Sequence, residues 1–216
     1  MSKKKTIFAA VVLLLIFGVG GAIAYFTDTE TKTNTFTVGD VDISLSETLW
    51  NATDGDSDGV PDAAENMMPG DSVAKNPVIT NDSDENAAYV FAKVEIPCAS
   101  ETDNSTNPAT TTYEEIFTLG TIGSGWNLMT DGSCTLNTTT NKYVATKVYN
   151  YGDSSSMTSL AASASTPALF TAVTLNTNIS GNETGLTGAL DVVVTGYGIQ
   201  TKGLTTATPA TIWSNF

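Results

Sequence analysis

Carboxylates are the residues of this chain best placed to do chemistry. Asp54, Asp56, Asp58, Asp62 and Glu65 occupy positions 1, 3, 5, 9 and 12 of a loop with Gly59 at position 6 and Val60 at position 7, the ligand register of a calcium loop. Ca²⁺ needs six to eight hard oxygens from one tight turn; the glycine permits the bend, Val60 lends its carbonyl and Glu65 can supply two oxygens. Asp54, Asp56, Asp58, Val60, Asp62 and Glu65 are therefore read as metal ligands, with Ca²⁺ as the cofactor. The plainer reading is an acidic, solvated linker, but five acids in register with a glycine favour the metal. No amphipathic helix precedes the loop, no second loop of the kind follows, and Pro61 blocks the usual pairing of two loops. A structural ion is expected rather than a sensor.

Other chemistries lack their residues. There is no histidine, which removes Ser-His-Asp and Cys-His catalysis and the H-E-x-x-H zinc motif. No glycine-rich phosphate loop followed by lysine and no dinucleotide fingerprint occurs. Glu114-Glu115 could be imagined as a glycosidase pair, but adjacent acids in so acidic a chain read as a solvated turn. The net charge is −14, with nine basic residues, all lysine, so no basic surface is offered to nucleic acid or anionic lipid. Divalent cations are the partners such a surface attracts.

These residues must be positioned by a chain that reads as exported. Lys3, Lys4 and Lys5 form a positive start, Ile7 to about Val19 an apolar run, and Ala22-Ile23-Ala24 a small-x-small site before Tyr25, the three parts of a secretory signal peptide in order. Cleavage is expected after Ala24, making residues 1–24 a signal peptide and Tyr25 the new terminus. An uncleaved anchor is the alternative, because Ile7 to Ala24 sits at the short edge of spanning length. A pilin-type helix is disfavoured by the strand pattern that follows. In an exported chain Cys98 and Cys134 are expected to form a disulfide, two buried free thiols being the other reading; two cysteines without histidine make a poor zinc site. Sequons at Asn51, Asn81, Asn104, Asn137, Asn178 and Asn182 read as surface loops.

The remaining pattern is that of strands. Threonine recurs at alternate positions from Thr27 to Thr37, giving an extended segment with one hydroxyl-rich face. Beyond Gly39, Val41, Ile43 and Leu45 alternate with polar residues and predict a first core strand. Residues 51–66 form a polar insertion, followed by a Pro-Gly turn at Met67 to Asp71. Ser72 to Thr80 predicts a strand, at an edge or bulge because of Pro77, and Asn81 to Asn86 a polar turn. Ala87 to Ile96 predicts a half-buried strand, and Glu101 to Thr112 a loop. Tyr113 to Leu119 and Trp126 to Met129 are short apolar pieces. Lys142 to Tyr149, Leu169 to Leu175 and Leu190 to Ile199 predict further strands, with a loop over Gly152 to Thr166. The tail from Thr205, with Ile212, Trp213 and Phe216, could dock as a short helix or strand. Short strands without intervening helices predict an all-β, antiparallel sandwich over residues 39–216.

Ala24-Tyr-Phe-Thr-Asp28, followed by Thr31-Lys-Thr-Asn-Thr-Phe-Thr-Val-Gly-Asp-Val-Asp-Ile-Ser-Leu45, resembles the signal-junction region of the TasA/camelysin family, which is exported through a SipW-type signal peptidase. Met68-Pro-Gly-Asp71, Gly196-Tyr-Gly-Ile-Gln200 and Trp213 are similar to the family's later landmarks. The resemblance implies a jelly-roll β-sandwich and a homo-oligomeric fibre of the biofilm matrix. It also implies β-strand addition, in which the N-terminal segment of one subunit completes the sheet of the next. Carried onto this chain, the donor is Tyr25 to Val38 and Gly39 the hinge. The expected protein is a secreted, non-enzymatic matrix or cell-surface subunit, meeting a signal peptidase and the membrane only during export. Two alternatives stand beside it: a secreted camelysin-like peptidase, and a monomeric surface adhesion or calcium-binding module.

Overall fold

A computed structural model describes residues 41–50, 55, 60–186 and 190–216, all within one compact unit, Gly39–Phe216. The signal segment with Ala22, Ala24 and Tyr25, the donor segment to Val38, and Asp54, Asp56 and Asp58 lie outside the described residues.

Eleven strands follow one another among the described residues: β1 (Ile43–Ser46), β2 (Ser72–Ala74), β3 (Val78–Asn81), β4 (Ala88–Asp103), β5 (Thr110–Glu115), β6 (Phe117–Leu119), β7 (Trp126–Asp131), β8 (Thr135–Asn137), β9 (Lys142–Tyr151), β10 (Ala172–Leu175) and β11 (Val193–Gln200). One short helix, α1 (Pro209–Trp213), closes the chain. All pairings between these strands are antiparallel. The large sheet runs β11-β4-β9-β7, with β5 pairing to β4 and β8 to β9. Two smaller sheets, β1-β3 and β2-β10-β6, pack against it, and the result is an antiparallel all-β sandwich.

The central strand β4 explains most of the core. Val90, Ala92, Val94 and Ile96 alternate onto one face and are almost wholly buried with Ile79, Leu169, Phe170 and Val173. The opposite face should by alternation be solvated, yet Tyr89 and Phe91 are buried too. Helix α1 covers them: Ile212 is fully buried, and Trp213 stands 5.4 Å from Phe91 and 5.0 Å from Tyr197, ring centre to ring centre. Thr208 caps the helix through its hydroxyl, which accepts from the Thr211 amide at 3.3 Å, and Pro209 opens it, a position where a missing N–H costs nothing. The tail therefore docks as a helix.

Glycines in β11 admit the neighbouring layer. A Cβ on Gly198 would lie 2.8 Å from Ile43 Cγ2, and one on Gly196 would lie 3.2 Å from Ile79 Cδ1. Val41 and Ile43 thus reach the core, as alternation predicts, but Leu45 does not and is 37% exposed; β1 is a core strand only in its first half.

Several expectations are corrected. Glu101 to Thr112 is not a loop: β4 continues to Asp103 and pairs with β5 from Thr110, with Thr102 opposite Thr111. Ladder hydrogen bonds and β-branched threonines hold this arm extended although its residues are exposed, so no hydrophobic period announces it. Ser72 to Thr80 is not one strand with a bulge: β2 and β3 flank Pro77, each at the edge of a different sheet, so the edge expectation holds and the segment is a crossing point between the two. Asn81 ends β3 rather than opening a turn, and its side chain is buried, donating to the carbonyls of Asn86 at 2.9 Å and Leu160 at 3.0 Å. Its sequon is consequently not a surface loop. Cys98 is disulfide-bonded to Cys134 with the Cα atoms 6.1 Å apart, tying β4 to the turn before β8.

Candidate functional site

The described part of the acidic loop begins at Gly55 and resumes at Val60. Pro61 is buried and leads into a single 3-10 turn, Asp62–Ala64, closed by the Ala64 amide donating to the Pro61 carbonyl at 2.7 Å. The Gly55 amide donates to Asp62 Oδ1 at 2.8 Å, and a Cβ on Gly55 would meet Asp62 Oδ2 at 3.0 Å. Position 9 of the loop thus folds back over position 2, so that a side chain at Gly55 would have to displace the Asp62 carboxylate. An ionised carboxylate has further lone pairs beyond the one taken by Gly55, so Asp62 retains capacity for a cation. Asn66 then turns the chain through a positive φ of 52°, which asparagine tolerates better than most residues.

Beside the loop lies a cleft of about 540 Å³ that sequence reasoning missed. Val60 and Met67 line one side and Val73 and Leu175 of the β2-β10-β6 sheet another. Lys75, also in its wall, is buried yet paired: Nζ donates to Glu47 Oε2 at 2.6 Å and lies 4.6 Å from the Trp50 ring centre. Burial of a lysine is tolerated because a carboxylate and an aromatic face replace its water. No local pattern in the sequence brings Glu47, Trp50 and Lys75 together.

Glu114 and Glu115 do not converge on a common point. Glu115 Oε1 accepts from Lys147 Nζ at 2.8 Å, whereas Glu114 Oε1 accepts from Asn178 Nδ2 at 2.6 Å, as alternation of faces along β5 requires. Lys147 also pairs with Asp131. Burial pulls the Lys147 ammonium down, but the bonds to Asp131 and Glu115 outweigh it and hold the group above the ordinary lysine value. Burial likewise pushes the Tyr149 hydroxyl up. Ionised partners of this kind tie β9 to β5 and β7 rather than equip a reaction.

Sheet edges are the remaining feature. The Thr201 amide donates to the Ala87 carbonyl, which sets the parity of the β11–β4 ladder. Val193, Thr195, Tyr197 and Ile199 exchange bonds with Glu95, Lys93, Phe91 and Tyr89, opposite which they stand, and the amides of Val194, Gly196, Gly198 and Gln200 point away from β4. Among the described residues no strand pairs with that outer edge.

The class is thus defined: a disulfide-linked, antiparallel all-β sandwich carrying an acidic loop on one layer. Residues 3–107 match the family model described as camelysin metallo-endopeptidase, which supports the resemblance to the TasA/camelysin family. No curated protein and no solved structure matches it. The matched stretch takes in the acidic loop and β1 to β4. A metallo-endopeptidase implies a catalytic metal, and the donor set can be tested against one. The chain has no histidine, both cysteines are held in the disulfide, and among the described residues no three carboxylates or thiols converge. Carboxylate and carbonyl oxygens suit Ca²⁺ or Mg²⁺, not the nitrogen and sulfur coordination typical of zinc. The residues present do not fit a catalytic zinc.

Proposed function

We propose that this chain is a secreted structural subunit of extracellular fibres or biofilm matrix that assembles by donating Tyr25 to Val38 to the next subunit, with a structural Ca²⁺ in the 54–65 loop. The observation that carries the reading is the threonine-alternating segment set ahead of a sandwich in which, among the described residues, no strand pairs with the outer edge of β11. An extended strand with no strongly apolar face gains little by burying itself and much by completing another sheet's hydrogen bonds. The match to the camelysin family model supports the family-level role, and the lack of histidine, which leaves no imidazole ligand for a catalytic zinc, is what supports a structural part over the peptidase alternative. The signal pattern supports export through a signal peptidase, cleavage before Tyr25, and residence in the matrix or at the cell surface. For the metal, the support is the five-acid register with Gly59, together with the tight Gly55–Asp62 turn.

Polymerisation tests the reading. A chain beginning at Tyr25 should form filaments under the electron microscope, and one beginning at Gly39 should stay monomeric; equal filament formation by both sinks strand donation. Calorimetric titration with Ca²⁺ should show binding that Asp54→Ala and Glu65→Ala weaken, and unchanged affinity in both removes the loop assignment. Chelator-sensitive cleavage of casein by homogeneous protein would replace the structural role with the peptidase alternative.

A further inference from the structure

We propose that Tyr113 of β5 and Tyr143 of β9 form an oxidative cross-linking site, at which hydrogen peroxide acting through a haem peroxidase joins the two rings into an intrachain dityrosine that fastens the β4–β5 arm to β9. This site is independent of strand donation and of the calcium loop.

Strands β9 and β5 follow one another along β4. β9 pairs with it as far as Val144, opposite Pro97, and β5 takes over at Glu115, opposite Cys98. Tyr143 immediately precedes Val144, and Tyr113 lies one turn of the pleat before Glu115. Their rings meet across this junction, where no ladder joins β5 to β9. The ring centres stand 4.1 Å apart with the planes inclined by 26°. Every other aromatic contact among the described residues is wider and steeper, at 5.0–5.8 Å and 46–85°. Those contacts pack the core or hold α1. The tyrosine stack does neither, for Tyr113 is 39% exposed and Tyr143 half-buried. Residues 101–114 are all exposed, so ladder bonds hold the arm without a core of its own, and a covalent tie would supply what packing does not.

Two stacked phenols are reactants already held together, which removes the entropic cost of bringing them into contact. A hydrogen bond to Tyr143 holds the Tyr113 phenol above its ordinary value, so oxidation starts from the neutral phenol and must release a proton with the electron. Each phenol gives one electron to the oxidant and one proton to water, leaving two phenoxyl radicals. These couple through one ring carbon ortho to each hydroxyl, forming a single C–C bond. The hydrogens on those two carbons then move to the oxygens and restore both phenols. The peroxide is reduced to two waters, and the chain loses two hydrogen atoms in all. Both cysteines are held in the disulfide, leaving no free thiol to quench the radicals. Of the other described tyrosines, Tyr89 and Tyr149 are buried, and the ring contacts of Tyr151 and Tyr197 are with tryptophan and phenylalanine.

Treating the purified chain, as dilute monomer, with hydrogen peroxide and a haem peroxidase tests the site. Dityrosine fluorescence should appear, and a digest should contain the Tyr113 peptide joined to the Tyr143 peptide with the loss of two hydrogen atoms, in a yield that dilution does not change. Tyr113→Phe and Tyr143→Phe keep both rings and should match the wild type by circular dichroism, yet each should lose the fluorescence and the joined peptides. No dityrosine in the wild type, a product joining other tyrosines or two molecules in place of this pair, or full fluorescence in both variants would overturn the site. Treatment should also raise the urea midpoint of the wild type relative to that of Tyr113→Phe, which meets the same oxidant without forming the bond, because a cross-link restricts the unfolded chain. An equal response of the two midpoints would overturn the fastening of the arm.

Discussion

Replacing Gly198 by alanine should destabilise the sandwich, and the sign of the effect is the informative part. Gly198 sits in extended backbone, where exchanging glycine for alanine ordinarily stabilises by about 0.5–1 kcal/mol. Here the new methyl would fall 2.8 Å from Ile43 Cγ2 and 3.2 Å from Val41 Cγ1. Both atoms belong to branched side chains with little rotamer freedom, and Ile43 is held by its pairing with Asn81. Overpacking of this kind costs about 1–3 kcal/mol, so the net loss should be about 1–2 kcal/mol. Urea unfolding with the disulfide intact would register it as a lower midpoint at unchanged slope. Ile43→Ala removes the opposing methyl, and in that background Gly198→Ala should cost little or nothing, giving a coupling of about 1 kcal/mol. A Gly198→Ala protein as stable as the wild type, or an equal penalty with and without Ile43, would refute the packing of β1 on β11.

Removing the disulfide by Cys98→Ser with Cys134→Ser should cost about 4 kcal/mol on the chain-entropy account for a separation of 36 residues, read from urea midpoints. Ile212→Ala, in a fully buried position beneath α1, should cost about 2–5 kcal/mol and loosen Trp213, visible as a red shift in its fluorescence. Lys147→Met should lose about 1 kcal/mol at neutral pH, a modest figure because Asp131 is largely exposed. Its ammonium is held above 10.5, so this contribution is full below that value and disappears as pH rises through the folded one; wild type and variant should converge in alkali. Glu183 accepts from Ser180 and Gly181, which lower its carboxyl from 4.5 to about 2. Its contribution is full above 4.5 and is lost as pH falls through about 2, and in Ser180→Ala an NMR titration should find the midpoint moved upward.

Strands with an alternating apolar face were legible residue by residue, because burial of one face writes itself into the sequence at a period of two. β9 and the first half of β4 are the clear cases, and the docking tail showed in its three aromatic and aliphatic residues. The arm formed by the end of β4 with β5 was not legible. Its strands are held by ladder bonds in solvent, and threonine and serine signal a loop as readily as an exposed strand. Asn81 misled for a related reason: a buried asparagine satisfied by two carbonyls has the same local sequence as one in an open turn. Of the acidic loop, the register of carboxylates was plain, while the fold-back of Asp62 onto Gly55 depends on the bend between them.

By itself the sequence determined the all-β class, the spacing of the five acids around Gly59, the absence of histidine and the presence of two cysteines, Cys98 and Cys134. These are properties of composition, spacing and period, and they survive any arrangement of the strands. Only the tertiary structure decided that α1 buries the second face of β4, that Lys75 meets Glu47 and Trp50, and which amides of β11 face β4 and which face away. Each of those depends on which distant segments meet and in what register. Hydrogen-bond parity and contact across layers are set by pairing between strands, and a single strand carries no record of its neighbour.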